Sequence, residues 1–203
     1  MARIAFGDRL IAFQGTARDP FPTISEGRKH LLLSFRSPWV VKANVLDQFE
    51  IALNFHPGSA DYPGYGCYSF ALYESAVEYG CVCHHMLPLV DSGIIVSEER
   101  FKLSGHETIE MLKLRTYAAM LSQFHDVVFR LSASEDLGTS PVEWSRLPFT
   151  RRQHKDLSTI TTDMSPSEIQ RRVRCTSYPG EGAFVVLGDI VFLAPVSTNP
   201  PLA

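Results

Sequence analysis

Asn54 and His56 are the residues whose types and spacing best suit chemistry. They end the apolar run 51–56, directly before the glycine-rich loop 57–66. Side chains alternate along a strand, so both project from one face, at the carboxyl edge where open α/β sheets bind their ligands. An imidazole can take a proton from an attacking amine near neutral pH, and an amide N–H can stabilise an oxyanion. The pair therefore suits acyl transfer to an amine.

Asp91 is a third candidate, in an apolar loop that follows the next apolar run of the sequence. Its carboxylate could orient an imidazole or relay the imidazole's proton. Each residue alone has an ordinary explanation: a strand-end Asn forms turns, a single His packs, and Asp-Ser-Gly is a common turn. The three together favour a catalytic site.

Short apolar runs predict the strands that would position these residues. Residues 30–35, 50–55 and 80–86 have the length and turn-rich flanks of buried strands, and 94–96 could begin a fourth. Helical turns within 38–49 and 68–77 give the strand-helix-strand order of a parallel sheet. The expected fold class is therefore α/β.

The second half of the sequence predicts helices and a hairpin. Apolar residues recur every three or four positions over 107–131, which indicates a long helix. Ser165, Pro166 and Glu168 predict the start of another helix, ending near Cys175. Residues 183–187 and 190–193 flank a Gly-Asp turn and predict a β-hairpin. We expect a catalytic core over residues 1–135 and a helix and β-hairpin extension over 136–203, with a frayed, proline-rich tail after Ala194.

Composition narrows the class of protein. The 203 residues fit one core with an appended subdomain, and the net charge of −3 disfavours nucleic acid as the main partner. No export leader and no apolar run of about 18 residues is present, so a cytoplasmic location without membrane association is expected. The four cysteines include no C-x-x-C pair, so reduced thiols are expected.

These motifs resemble a known family. Asn54-x-His56 followed by Val90-Asp91-Ser92-Gly93 is similar to the signature of formyltransferases that use 10-formyltetrahydrofolate. Within that family the sequence is most similar to the sugar N-formyltransferases, which act on nucleotide-linked amino sugars. The similar stretches are residues 55–58, 62–64, 79–86 and 176–180. The resemblance covers roughly residues 30–193. It implies a Rossmann-like core, here with a shortened N-terminal part, because residues 1–29 are short and lack a G-x-G-x-x-G motif.

The resemblance also implies roles for individual residues. His56 would be the general base, Asn54 the oxyanion donor, and Asp91 an assisting group; no metal is implied. The folate donor would lie between two loops, against residues Phe35, Arg36, Ser37, Pro38, Val40, Leu89 and Val90. The nucleotide-linked amino sugar would contact Gly58, Tyr65, His84 and Tyr178.

Several alternatives stay open. The same residues would hydrolyse 10-formyltetrahydrofolate if water replaced the amine, and a non-catalytic folate- or nucleotide-binding protein is a further possibility. Cys81, Cys83 and His85 would alternate onto one strand face, with His84 on the other, so a zinc site is a further alternative. A basic cluster is either solvated surface or a diphosphate contact: Arg151, Arg152, His154, Lys155, Arg171, Arg172 and Arg174. The hairpin could pair with a second subunit in a homodimer.

Overall fold

A four-stranded mixed sheet forms the centre of the protein. The structure is a computed structural model, and it describes residues 2–16, 18–25, 27, 29–178 and 182–194. After helix α1 (Ala2–Phe6) and a 3-10 turn (Gly7–Arg9), the strands are β1 (Lys29–Phe35), β2 (Phe49–His56), β3 (Glu78–His85) and β4 (Ile95–Lys102). They lie side by side in the order β1-β2-β3-β4. All four predicted strands are confirmed.

The expectation of a parallel sheet is wrong beyond the first two strands. β1 and β2 are parallel, joined by a crossover that contains helix α2 (Ala43–Leu46), but β2 pairs with β3, and β3 with β4, antiparallel. The chain from 57 to 77, including helix α3 (Cys67–Tyr73), stays at the end of the sheet where β2 stops. β3 therefore begins at that end and runs back along β2, which makes Asn54 and His84 direct register partners.

The two faces of β2 have different neighbours. Leu53 and Phe55 belong to the core cluster that contains Met120 and Val127 of helix α4 (Ile109–Ser132). This helix confirms the predicted long helix, and the Thr108 side chain caps its N-terminus by accepting from the backbone of Met111. Because side chains alternate, Asn54 and His56 lie on the face turned away from this core.

The C-terminal part packs against the sheet and α3. Helix α5 (Arg151–Ser158) is not foreseen from the sequence, whereas helix α6 (Pro166–Thr176) and the hairpin of β5 (Phe184–Leu187) and β6 (Ile190–Leu193) are confirmed. The hairpin is tied to the end of α5, since Ile160 N–H donates to the carbonyl of Phe184 at 2.7 Å. The predicted tail after Ala194 lies outside the described residues.

Contacts also cross the predicted boundary between residues 135 and 136. Phe149 N–H donates to the carbonyl of Pro63 at 2.9 Å, and Tyr65 N–H donates to the carbonyl of Phe149 at 2.8 Å. The Phe149 ring stacks on Phe70 of α3 with centroids 3.7 Å apart. Residues 136–194 thus help to shape the loop that follows β2, and the boundary itself stays a prediction.

No helix within the described residues is both long and apolar enough to cross a membrane. On β6, Ile190, Val191, Phe192 and Leu193 are all at least 49% exposed. Such an apolar strand suits pairing with a second subunit, and the homodimer stays a prediction.

Candidate active site

Four polar side chains converge where β2 and β3 lie side by side. Asn54 and His56 come from β2, His84 comes from β3, and Asp91 comes from the loop that follows β3. Asp91 Oδ2 lies 3.1 Å from His56 Nδ1, and its Oδ1 lies 3.2 Å from His84 Nε2 and 3.4 Å from Asn54 Nδ2. His56, His84 and Asp91 are buried, and only Asn54 is partly exposed. Asp91 therefore contacts both of the other residues predicted as catalytic, and the catalytic roles of all three remain predictions.

Both ring nitrogens of His56 face acceptors. Nε2 lies 2.8 Å from the carbonyl oxygen of Tyr62, which can only accept, so Nε2 carries a hydrogen. Nδ1 faces the Asp91 carboxylate. Burial alone would lower the pKa of His56, but the negative charge of Asp91 and the hydrogen bonds to Asp91 and Tyr62 raise it above 6.5. The Asp91 carboxylate and the Tyr62 carbonyl therefore both favour the protonated form of His56.

Asp91 is held as a carboxylate by donors on several sides. Gly64 N–H donates to its Oδ2 at 2.8 Å, and His56 Nδ1 faces the same oxygen at 3.1 Å. Burial alone would raise the pKa of Asp91, but the charge and hydrogen bond of His56, and then those of His84, hold that pKa well below its usual range. Its backbone has a positive φ of 45°, which aspartate tolerates better than most residues. Asp91 is therefore the fixed negative charge of the site.

Ser34 sets the direction of the Asn54 amide, and the sequence prediction omitted it from the catalytic set. Its hydroxyl donates to Asn54 Oδ1 at 2.8 Å from the neighbouring β1 strand, where the two residues are register partners. The amide nitrogen consequently points toward His84 Nε2, at 3.2 Å, and Asp91. His84 Nδ1–H donates to the carbonyl of His85 at 2.8 Å, which leaves Nε2 turned to the cluster. Ser34 could have been placed beside Asn54 in advance only if the parallel pairing of β1 and β2 and its register had been predicted.

Trp144 closes the cluster from the C-terminal part of the chain. Its ring lies edge-on to His56 and to His84, with centroids 5.9 and 5.2 Å away. Its Nε1–H donates to the carbonyl of Gly93 at 2.8 Å, two residues after Asp91. Trp144 is far along the sequence from His56, His84 and Gly93, and no local pattern connects it with them. Only the folded chain indicates these contacts.

Glycine and the ion pair of Glu98 with Arg100 fix the loop that follows β2. A Cβ atom at Gly58 would lie 2.5 Å from His56 Nε2 and 2.8 Å from the carbonyl oxygen of Tyr62, so only glycine leaves room for their hydrogen bond. The buried carboxylate of Glu98 accepts from Ala60 N–H at 2.7 Å and from Arg100 Nε at 2.8 Å. Gly58, predicted to contact substrate, therefore lies directly against the imidazole.

The residues predicted to hold folate fall into two groups. Apolar side chains beside Asp91 stay open to solvent: Leu87, Leu89 and Val90 are 50%, 55% and 42% exposed, and Val40 of the loop after β1 is 65% exposed.

The remaining residues predicted to hold folate, at and after the end of β1, have protein partners or lie at the surface. The Phe35 ring packs on Phe124, with centroids 5.0 Å apart, as ordinary core. Arg36 has a φ of 51° and lies over the Tyr117 ring at 3.8 Å. The Ser37 hydroxyl accepts from the backbone of the next residue but one, and Pro38 is exposed.

The two tyrosines predicted to contact the sugar nucleotide have different neighbours. Tyr65 lies beside α5, with Arg151 4.4 Å above its ring and His154 edge-on at 5.2 Å. Tyr178 lies under Lys113 Nζ, at 3.6 Å, and packs against the core cluster of α3 and α4. Residues 179–181 of the motif that contains Tyr178 lie outside the described residues.

The described residues give no support to a zinc site on β3. Cys81 and Cys83 are fully buried in the core cluster with Leu53 and Phe55, and among the described residues no group of three or more His, Cys, Asp or Glu is arranged to hold a metal ion.

The arginines of α6 are engaged with the protein itself. Arg171 donates to the carbonyl of Tyr73, Arg172 to Glu168 and several carbonyls, and Arg174 to the carbonyls of Gly105 and Glu107. The three arginines that α6 contributes to the basic cluster therefore stabilise the packing of the protein.

Comparison with solved structures identifies the architecture, although no protein-family model matches the sequence. A sugar N-formyltransferase from a Shewanella species is 17% identical and superposes with a TM-score of 0.72 over 86% of this chain and 71% of that chain. A 4-N formyltransferase from Francisella tularensis is 15% identical and superposes with a TM-score of 0.66 over 83% of this chain and 72% of that chain. An N-formyltransferase from Helicobacter canadensis was solved in complex with folinic acid and dTDP-3-aminofucose. It is 16% identical and superposes with a TM-score of 0.56 over 81% of this chain and 69% of that chain. The expected α/β architecture is confirmed: this chain has the fold of the sugar N-formyltransferases.

Proposed function

We propose that the protein transfers a formyl group from 10-formyltetrahydrofolate to the amine of a nucleotide-linked amino sugar. The observation that carries the proposal is the His56–Asp91–His84 cluster, buried behind the partly exposed amide of Asn54, at the end of β2. The fold supports it, and so does the complex of the Helicobacter relative with folinic acid and dTDP-3-aminofucose.

The exposed apolar residues beside the cluster fit a folate donor. A pterin is a flat heteroaromatic ring, which prefers apolar walls and a few backbone groups at its edge. Leu87, Leu89 and Val90 offer one such wall next to Asp91, and Val40 offers apolar surface on the loop after β1. When bound there, the donor supplies an activated formyl carbonyl and a nitrogen leaving group.

His56 is assigned the role of general base through Nε2. Asp91 keeps a hydrogen on Nδ1, so the neutral form of the ring has its lone pair on Nε2. When Nε2–H donates to the Tyr62 carbonyl, the ring is in the form that exists after His56 has accepted a proton. The raised pKa of His56 makes it a stronger base than an exposed histidine.

Asn54 is assigned the role of oxyanion donor. Its amide nitrogen belongs to the one side chain of the cluster that is not buried, and its contacts with His84 Nε2 at 3.2 Å and Asp91 Oδ1 at 3.4 Å are at the long end of hydrogen bonds. The Ser34 hydroxyl on Oδ1 keeps the N–H groups turned toward the cluster. A preorganised donor of this kind typically contributes a hundredfold to a thousandfold, about 2.7–4 kcal/mol, to the rate.

The direct test is mass spectrometry of a panel of nucleotide-linked amino sugars after incubation with the protein and 10-formyltetrahydrofolate. We expect one acceptor to gain a formyl group, and His56→Ala and Asn54→Ala to lose about a hundredfold or more in rate. Arg152→Ala, on the exposed surface, is the control. Near-normal turnover by either site variant would refute the assigned roles.

Other outcomes of this assay separate the competing functions. Formate released without any formylated amine would establish hydrolysis of the donor instead. Donor binding with neither product would leave a folate-binding protein.

A further inference from the structure

A cavity of about 420 Å³ lies between strand β4, at the edge of the sheet, and helix α4. Its volume is in the range of ligand pockets, about 300–1,000 Å³. The lining residues that carry the argument are Glu99 of β4 and Gln123, Asp126, Phe129 and Arg130 of α4. No residue of the catalytic cluster lines it, so the cavity is separate from the candidate active site.

Two carboxylates of this cavity repel each other. Glu99 has no cationic partner among the described residues, and Asp126 lies near His125 Nδ1, at 3.5 Å. Burial, and then the negative charge of Asp126, raises the pKa of the Glu99 carboxyl above its ordinary value. A cation bound beside Glu99 and Asp126 would relieve this repulsion.

Gln123 is a second, independent indication of a ligand. Its side chain is 2% exposed, and its Nε2 donates to the carbonyl of Ser97 at 3.1 Å and to the Ser97 hydroxyl at 3.0 Å. Because a carbonyl can only accept, this contact fixes which end of the amide is nitrogen. The amide oxygen, Oε1, is buried and has no hydrogen-bond partner among the described residues. A buried acceptor without a donor is costly, so a ligand that donates hydrogen bonds is favoured here.

The cation already present in the cavity is engaged elsewhere. Arg130 Nη2 donates to the carbonyl of Asp136 at 2.6 Å, and its Nε lies 3.6 Å from the Glu135 carboxylate. Phe129 also lines the cavity and is 63% exposed, so its ring offers apolar surface to a hydrocarbon chain and a face to a positive charge. The lining therefore combines negative charge, an unused acceptor and an aromatic ring.

We propose that this cavity binds a small aliphatic ammonium ion. An ammonium group has three donors and no acceptor, which matches a site with two carboxylates and an unused amide oxygen. It donates to Gln123 Oε1 and to Glu99, Asp126 adds negative charge, and the carbon chain packs against Phe129. The inference does not depend on the proposed function, because no residue assigned to the chemistry lines the cavity.

The test uses the full chain and isothermal titration calorimetry with butylammonium chloride at constant ionic strength. Butan-1-ol, which has the same carbon chain without the charge, is the control ligand. We expect wild-type protein to bind butylammonium and not butan-1-ol. Glu99→Gln should raise Kd about tenfold, since a partly buried charged hydrogen-bond partner is lost. Asp126→Asn, at an exposed position, should raise it about threefold.

Glu110→Gln is the matched control variant. Glu110 is an exposed carboxylate of the same helix and does not line the cavity, so its replacement should leave Kd unchanged. Thermal unfolding of each variant checks that the fold is intact, and butylammonium should raise the melting temperature of wild type.

Three results would overturn the inference. The first is no binding of butylammonium, and the second is equal binding of butan-1-ol. The third is wild-type affinity in both Glu99→Gln and Asp126→Asn. If Glu99→Gln does not fold, Asp126→Asn decides alone: weaker binding supports the site, and unchanged binding refutes it.

Discussion

His56 Nδ1 lies 3.1 Å from Asp91 Oδ2, in a place where the two side chains are only 4% and 10% exposed. A buried ion pair of this kind is strongly destabilising when one partner is removed, by about 3–5 kcal/mol, because the other charge is left without compensation. The pair should therefore be visible in stability as well as in catalysis.

Asp91→Asn should lower stability in a pH-dependent way. The pKa of His56 is raised from 6.5, so its contribution is complete below pH 6.5 and is lost as pH rises through the folded-state pKa. The pKa of Asp91 is lowered from 3.8, so its contribution is present above pH 3.8 and is lost as pH falls through its folded-state pKa. The difference in unfolding free energy between wild type and Asp91→Asn should be largest between these two values.

Urea unfolding at a series of pH values measures this difference. Asp126→Asn, at an exposed position of α4, is the matched control and should show little change. A wild-type advantage over Asp91→Asn that stays constant from pH 5 to 9 would contradict a charged pair.

Ser34→Ala should lower kcat about fivefold with little change in KM. The substitution removes the hydroxyl that orients Asn54, and a typical hydrogen bond contributes about 1 kcal/mol, while 1.36 kcal/mol is tenfold in rate. Steady-state kinetics would show the effect, and Ser34→Thr, which keeps a hydroxyl, should recover part of the loss. Ser122→Ala, on the exposed surface of α4, serves as the control. An unchanged kcat in Ser34→Ala would mean that Asn54 needs no such orientation.

Gly58→Ala should impair catalysis more than its small size suggests. The added Cβ would lie 2.5 Å from His56 Nε2, so the imidazole or the Tyr62 carbonyl must move. Overpacking of this kind costs about 1–3 kcal/mol of stability, and the rate should fall with the displaced base. Gly182→Ala, where the nearest atom would be 3.4 Å away, is the control for unfolding free energy. Activity and stability equal to wild type would show that the loop adjusts freely.

All four cysteines should resist thiol reagents in the native protein. Cys67, Cys81, Cys83 and Cys175 are buried. Burial raises the pKa of Cys67 to about 11 and that of each of the others to about 12, so the reactive thiolate is scarce. A colorimetric thiol assay at pH 8 should count no free thiol in native protein and four after denaturation. Rapid modification of the native protein would contradict this arrangement.

Local signals were sufficient to predict much of the fold. The start of α6 follows from Ser165 and Pro166, because a capping hydroxyl and a proline at the first helical position act within one turn. The common face of Asn54 and His56 follows from strand alternation alone. The formyltransferase fold was predicted from a resemblance in short motifs.

Strand direction and long-range contacts could not be predicted in the same way. A run of apolar residues indicates a strand but not its direction, so the antiparallel β3 was missed. The Tyr62 carbonyl that meets His56, and Trp144 beside both histidines, depend on how loops fold back on the sheet. Backbone groups and distant side chains of this kind have no local sequence pattern.

Gly64 connects the two halves of the chain at the point where the carboxylate is fixed. Its N–H binds Asp91, its φ is +90°, and any side chain at this position would overlap the backbone of Phe149. The catalytic geometry therefore responds to whether residues 136–194 are docked, even though every residue assigned to the chemistry precedes them. A fragment that ends near residue 135 would keep all the reacting groups and lose their alignment, and adding the missing segment as a separate peptide could restore it.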